Sequence, residues 1–346
     1  MTSAALPATR AESAVRTAAF AMTPGLQDKL FTTAALTRLA QLVAVDTKTV
    51  IRDFSTADQT MLSGLEVLVT GWGCPPIGRS ELNLMPQLKV ILHAAGSIKG
   101  HLSPEVWHRG IRVSSAAEAN ALPVAEFSLA MILLAGKEAF WISREYDRRE
   151  KGIDLLREYP DIGNFQRTVG IVGASKIGRR VMELLTPHDV EVLVYDPYLD
   201  NSEASRLGAR LVDLPELMTE CSIVSLHAPS LPTTTHMIDA AGLASMHDGA
   251  TLLNTARASL VDQDALVAEL RSGRLRAVLD VTEPEVLPPD HELRTFHNVF
   301  ITPHLAGAQG NELIRLGQST MAELERVLTC RGLRFEVALE QWERTA

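Results

Sequence analysis

Cysteine is nearly absent from this chain. The three in 346 residues, Cys74, Cys221 and Cys330, lie far apart and show neither C-x-x-C nor metal-ligand spacing. That excludes a disulfide framework, leaves no metal site to expect, and fits a reducing, cytoplasmic compartment. Positive charge is also short: 33 Lys and Arg stand against 42 Asp and Glu, a formal net charge of −9. Nucleic acid and anionic membranes are therefore not expected partners, and an anionic ligand has to be captured by local positive groups. No apolar run is read as long enough to span a bilayer, and no repeat or low-complexity tract stands out. The opening "MTSAALPATRAESAVRT" has no continuous apolar stretch and is expected to be a loose tail and not a signal peptide.

What is present is an ordinary globular composition, 46% hydrophobic and 22% charged, at a length that suggests two domains or one large α/β domain. Short apolar runs alternate with helical patterns. In the first part "AAFAM" (18–22), "LVAV" (42–45), "LEVLVTGWG" (65–73), "LKVILHAAG" (88–96) and "IRVSSA" (111–116) read as strands. A second series follows from Val169: "TVGIVG", "VEVLVYD" (190–196), "CSIVSLHAP" (221–229), "ATLLNTA" (250–256), "RAVLDV" (276–281) and "NVFITPH" (298–304). Such alternation implies parallel sheets covered on both faces, and six strands with short helices suit a doubly wound nucleotide fold. Between the two series lies one long helical stretch, "LPVAEFSLAMILLAGKEAFWISREYDRREKG", with Pro123 in its first turn. It reads either as a core helix or as a connector that also packs against a second subunit. Gly273 is the expected C-cap of "DQDALVAELRSG".

The stretch "VGIVGASKIGRR" (169–180) is a strand turning sharply into a helix, with Gly173, Ser175 and Gly178 at the three glycine positions of G-x-G-x-x-G. In a dinucleotide site the first glycine makes the turn, the second admits the pyrophosphate and the third lets helix pack on strand. Ser175 is small enough to restrict this approach without blocking it, and its hydroxyl is able to donate to a phosphate. The helix N-terminus supplies N–H groups and a favourable dipole. About 20 residues on, Asp196 in "VLVYDPY" stands where a carboxylate accepts hydrogen bonds from an adenosine ribose and repels a 2′-phosphate, which favours NAD over NADP.

At "LLNTARASLVDQDAL", "LDVTEPEVLP" and "NVFITPHLAG", in that order, the sequence resembles the D-isomer-specific 2-hydroxyacid dehydrogenases, a family that includes phosphoglycerate dehydrogenases, glyoxylate/hydroxypyruvate reductases and D-lactate dehydrogenases. The resemblance runs from about Ala18 onward and includes "AAGSIKG" and "NALPVAEFSLAMILL". It implies an α/β protein of two Rossmann-like, doubly wound parallel-sheet domains. An NAD-binding domain (119–305) is inserted into a discontinuous, flavodoxin-like substrate domain (1–118 plus 306–346), with closure of the two excluding water. It also implies three catalytic residues, Arg257, Glu285 and His304. The residue types suit the chemistry: an imidazole exchanges a proton near neutral pH, a carboxylate beside it orients the ring and favours its cation, and a guanidinium binds a carboxylate and polarises a carbonyl.

The same resemblance implies backbone N–H groups of Ser97 and Ile98 as a clamp for the substrate carboxylate. Cofactor contacts are implied at Lys176 and Ile177, at His227, Ala228 and Pro229, and at Thr234, Thr255 and Ala256, with Asp280 on the nicotinamide amide. Taken one at a time, His227 also reads as a packing histidine and Thr234 as a helix cap. Besides Ser175, "GSIKG" departs from the commoner glycine-rich substrate loop and introduces Lys99, which either meets a second anionic group on the substrate or is simply solvated. Trp72 either lines the substrate cleft or packs in the interior. The expected activity is NAD-dependent interconversion of a small anionic D-2-hydroxy acid and its 2-keto acid, in a homodimer. Two alternatives stay open: a dehydrogenase of a phosphorus oxyacid or phosphonate on the same architecture, and a non-enzymatic NAD-sensing protein like the C-terminal binding protein corepressors. Glutamate at 285 disfavours the formate dehydrogenase type, which has glutamine there.

Overall fold

The apolar runs become two parallel sheets in the computed structural model, which describes residues 16–344; most of the expected N-terminal tail lies outside the described residues. The first sheet holds β1 (Ala18–Ala21), β2 (Val50–Ile51), β3 (Val67–Thr70), β4 (Val90–His93) and β5 (Arg112–Ser115), in the order β2-β1-β3-β4-β5. The second holds β6 (Arg167–Val172), β7 (Val190–Tyr195), β8 (Arg210–Leu211), β9 (Ile223–Leu226), β10 (Thr251–Asn254), β11 (Arg276–Leu279) and β12 (Val299–Ile301), ordered β12-β11-β10-β9-β6-β7-β8. Every pairing is parallel. β3, β4, β9 and β10 are buried along their whole length, which is why their sequences are continuously apolar and do not alternate. In the second sheet, successive residues feed opposite faces: Leu193 and Leu252 enter one core, Val194 and Leu253 the other.

The chain divides into two compact units, Met1–Ala116 with Ile314–Leu339, and Ala117–Leu313 with Glu340–Ala346. The first unit is completed by the C-terminal segment. Gly317, in the helix Leu313–Leu328, lies so close to the Leu30 carbonyl that a Cβ there would stand 1.9 Å from its oxygen. Further on, Val337 donates its N–H to the Val113 carbonyl at 2.8 Å, and Arg112 pairs with Glu336 at 2.9 Å.

Five sequence expectations need correction. "LVAV" is not a strand: Leu42 ends the helix Thr33–Leu42, Val43 caps it and Ala44 makes only an isolated bridge to Thr17. A four-residue apolar run does not distinguish a buried helix end from a strand. The nucleotide sheet has seven strands and not six, because β8 is two residues long. The single long helix is two, Ala117–Gly136 and Ala139–Tyr146, broken where Glu138 takes a left-handed φ of 53° and pairs with Arg276 at 2.6 Å. Pro123 lies inside the first of them and not in its opening turn, so the Ala119 carbonyl lacks its usual amide partner. Finally, Ala117–Gly136 is long and apolar enough to cross a membrane by length and composition, with a mean hydropathy of 1.5, contrary to the reading of no such run. Half of that window is buried inside the protein, against neighbours that include Val169, Val181 and Leu253.

Candidate active site

The turn after β6 has the shape its glycines foretold. Gly173 has φ 101°, and a Cβ there would meet the Ala228 nitrogen at 2.6 Å. A Cβ on Gly178 would stand 2.0 Å from the Gly173 oxygen, so both glycines are required by close backbone approach. Ser175 is different. Its φ of −64° and ψ of 179° are ordinary for any residue, and it caps the helix Lys176–Leu185, its Oγ accepting the Gly178 N–H at 3.3 Å. The serine therefore closes the turn with a cap where a glycine would leave it open. Ile177 is partly buried against the core beneath this helix, and Lys176 pairs with Glu118 at 3.2 Å. Asp196, just past β7, accepts the Ala174 N–H at 2.7 Å and the Tyr198 N–H at 2.8 Å, which holds the carboxylate against the turn.

The ends of β9 and β10 stand beside it. His227 is buried; Ser225 Oγ and its Nε2 are 2.8 Å apart, while its Nδ1 has no partner. Burial pushes this imidazole down to about 3, so it is neutral at physiological pH. Its backbone N–H binds the Val172 carbonyl at 2.8 Å, tying β9 to the glycine turn. Ala228 is buried where it meets Gly173. Thr234 caps no helix; its hydroxyl donates to the Pro229 carbonyl at 2.6 Å and accepts the Leu231 N–H at 2.9 Å, fastening the loop that follows "HAP". Thr255 is buried, its Oγ1 2.9 Å from Ser128 Oγ, which itself donates to the Val124 carbonyl. Ala256 donates its N–H to Asn254, and Asn254 in turn donates to the Arg257 carbonyl at 2.9 Å.

Three side chains come together past β10, β11 and β12. His304 Nδ1 and Glu285 Oε1 are 2.7 Å apart. Arg257 is largely enclosed; burial disfavours its charged form and the nearby Glu285 carboxylate favours it. One guanidinium nitrogen, Nη1, donates to the Ala256 carbonyl at 2.7 Å. His304 has φ 55°, a left-handed conformation that costs a non-glycine residue about 1–3 kcal/mol and persists where surroundings over-determine it. Asp280 does so here. Its carbonyl accepts the His304 N–H at 2.9 Å, and its buried carboxylate accepts from the Thr302 hydroxyl at 2.6 Å and from the N–H groups of Leu305 at 2.8 Å and Ala306 at 3.0 Å.

In the first unit, Ser97 and Ile98 follow β4, at the carboxyl edge where ligands of such sheets bind. Ile98 is buried, and its carbonyl accepts the N–H groups of His101 and Leu102. Trp72 is 41% exposed and is not interior packing. Lys99 carries an interaction of its own. Sequence reasoning missed one cluster here. His93, at the end of β4, shares its Nδ1 with Thr70 Oγ1 at 2.9 Å and His101 Nε2 at 3.2 Å. Burial lowers both histidines, and for His93 it is joined by the second ring and opposed by the Ser97 backbone. The available signal was a histidine ending an otherwise apolar strand.

The family model described as the D-isomer specific 2-hydroxyacid dehydrogenase, NAD binding domain, matches residues 129–306. The glyoxylate reductase of Thermofilum pendens is 33% identical over 257 residues, 73% of this chain and 75% of that protein. This chain belongs to the D-isomer specific 2-hydroxyacid dehydrogenase family. Within it, the D-3-phosphoglycerate dehydrogenase of Methanocaldococcus jannaschii is 32% identical over 272 residues, 76% of this chain and 50% of that protein. The chain thus spans about half the length of the phosphoglycerate dehydrogenases it matches. A Thermus thermophilus protein of solved structure shares the fold with a TM-score of 0.73 and 28% identity, over 93% of this chain and 100% of its own.

Proposed function

We propose that the chain is an NAD-dependent oxidoreductase that interconverts a small D-2-hydroxy acid and its 2-keto acid. The contact that carries this reading is His304 Nδ1 to Glu285 Oε1 at 2.7 Å, with Arg257 in the field of the same carboxylate. The glycine turn fits a dinucleotide: Gly173 and Gly178 bring backbone against backbone, and the helix at Lys176 offers its N-terminus to a pyrophosphate. Bound there, nicotinamide supplies or accepts the hydride. The protein supplies the rest. Glu285 accepts the Nδ1 proton, which fixes the tautomer and leaves Nε2 to carry the transferable proton. As hydride reaches the keto carbon, Nε2 delivers that proton to the forming alkoxide; in oxidation it takes the hydroxyl proton back. Arg257 stabilises the developing negative charge with the guanidinium donors other than the one bound to Ala256. The reading assigns the substrate carboxylate to the backbone N–H groups of Ser97 and Ile98, and cofactor contacts to Thr255, Ala256, Asp280 and the loop fastened by Thr234.

An NADH-oxidation screen tests this. Turnover is expected with at least one of pyruvate, glyoxylate and hydroxypyruvate. Turnover confined to phosphonopyruvate, or to phosphite in the NAD-reducing direction, replaces the substrate class. NADH binding without turnover of any of them points to a sensing protein.

Cytoplasmic placement and a homodimer belong to the same proposal. The first rests on the scarcity of cysteine. For the second, Leu134 and Phe165 line one surface groove of the nucleotide unit, and Phe165 is 76% exposed; apolar patches of this kind mark interaction sites. Light scattering on the wild type is expected to give the dimer mass, and Leu134→Glu with Phe165→Glu the monomer mass. A monomeric wild type overturns it.

A further inference from the structure

Three basic residues stand in the first turns of the helix that follows the dinucleotide turn, and each is matched by a carboxylate. Lys176 pairs with Glu118 at 3.2 Å, Arg180 with Glu183 at 2.8 Å, and Arg179 with Glu203 at 2.5 Å. Pairs exposed by a third to a half, like these, contribute about 0–1 kcal/mol to stability, so their number is poorly explained as stabilisation. Their placement is more informative. Arg179 Nε donates to the Ala174 carbonyl at 2.8 Å, and the N–H of that same Ala174 is bound to Asp196 Oδ2 at 2.7 Å. The guanidinium therefore lies within one residue of the carboxylate that faces the adenosine ribose. Glu203 reaches it from the next helix, Asn201–Arg206, where its backbone N–H is held by the cap residue Asp200 at 2.8 Å.

We propose that Glu203 is a specificity-determining residue for the cofactor, acting through Arg179. By neutralising the one guanidinium bonded to the Ala174 carbonyl, it keeps the ribose subsite net negative together with Asp196. A 2′-phosphate then meets two carboxylates, and the guanidinium bonded to the Ala174 carbonyl is already committed to Glu203. NAD, which ends in hydroxyls at that position, is unaffected. The inference rests on the reading of the turn as an NAD site and extends it to a residue on the following helix that motif reading does not reach.

The test is the ratio of kcat/KM for NADPH to that for NADH, measured on the whole chain with whichever keto acid it turns over. Glu203→Gln is expected to raise this ratio by about tenfold at low ionic strength, with the gain shrinking as salt is added. Glu183→Gln removes a carboxylate paired with Arg180 on the same helix, away from the Ala174 carbonyl, and is expected to leave the ratio unchanged. Adding Arg179→Leu to Glu203→Gln is expected to cancel the gain, which a general change in net charge would not do. An unchanged ratio in Glu203→Gln, or a gain that survives Arg179→Leu, overturns the proposal while leaving the NAD reading intact. Absence of any NADH binding by the wild type overturns both.

Discussion

His304→Gln is expected to lower turnover by a factor of about 10²–10⁴, the range for removing a positioned general acid, while NADH affinity by fluorescence titration stays at the wild-type value. The separation follows from the geometry. His304 is fixed to Glu285 by side chain and to Asp280 by backbone, and neither bond involves the glycine turn. Glutamine keeps an amide N–H able to face Glu285 but has no proton to give. Glu285→Gln tests the partner: the Nδ1 contact survives only as a weaker bond to a neutral amide oxygen, the ring is held less firmly, and turnover is expected to fall while NADH affinity stays at the wild-type value. Arg257→Ala is expected to lower kcat, because on the proposed reading the guanidinium stabilises the charge that develops on the keto oxygen. Full activity in both His304→Gln and Arg257→Ala would sink the assignment.

Acidification below about pH 6.5 is expected to destabilise the nucleotide unit through a single residue, His227. In the unfolded chain an imidazole binds its proton near pH 6.5; in the folded unit, burial holds His227 down to about 3. Between those values the unfolded state carries one more proton, so stability falls as pH falls, by about 1.4 kcal/mol per unit of pH. From pH 6.5 to 4.5 that amounts to about 2.3 kcal/mol, a large part of a domain's usual margin. Above about pH 7.5 both states are neutral at this position and the dependence vanishes. Urea unfolding of wild type and His227→Gln across this range measures the effect, the variant losing about one proton's worth of slope. Equal slopes would show that the imidazole is charged where it sits. His93 and His101 add the same sign in the first unit, because burial lowers both.

Much of this fold was legible because parallel strands buried on both faces have no choice but to be apolar throughout. "VGIV", "VLVY" and "TLLN" announce themselves for that reason. β8 does not: two residues, one of them the exposed Arg210, carry no pattern. The break at Glu138 is equally silent, since nothing in "AGKEAF" signals a left-handed glutamate; the conformation is held by Arg276, which only the folded sheet brings near. At the candidate site the residue types were readable one strand end at a time. What was not readable is who holds whom. Asp280 binding the loop that presents His304, and His93 meeting His101 across eight residues, both depend on loops closing back on their own strands. Ser175 shows the reverse: an apparent flaw in a motif that the backbone turns into a helix cap.

The first unit is closed by residues 314–339, which follow the whole of the second. On a ribosome this sets an order of events. The nucleotide unit is synthesised in one uninterrupted stretch apart from its last few residues and can condense while the polypeptide is still being extended, since domains generally fold as units. β5, by contrast, waits through some two hundred residues for the segment that brings Glu336 to Arg112 and Val337 to Val113. The earliest-made strands are thus the last to be sealed, and nascent chains arrested before residue 330 are expected to resist protease in the middle of their length and be cut near their beginning.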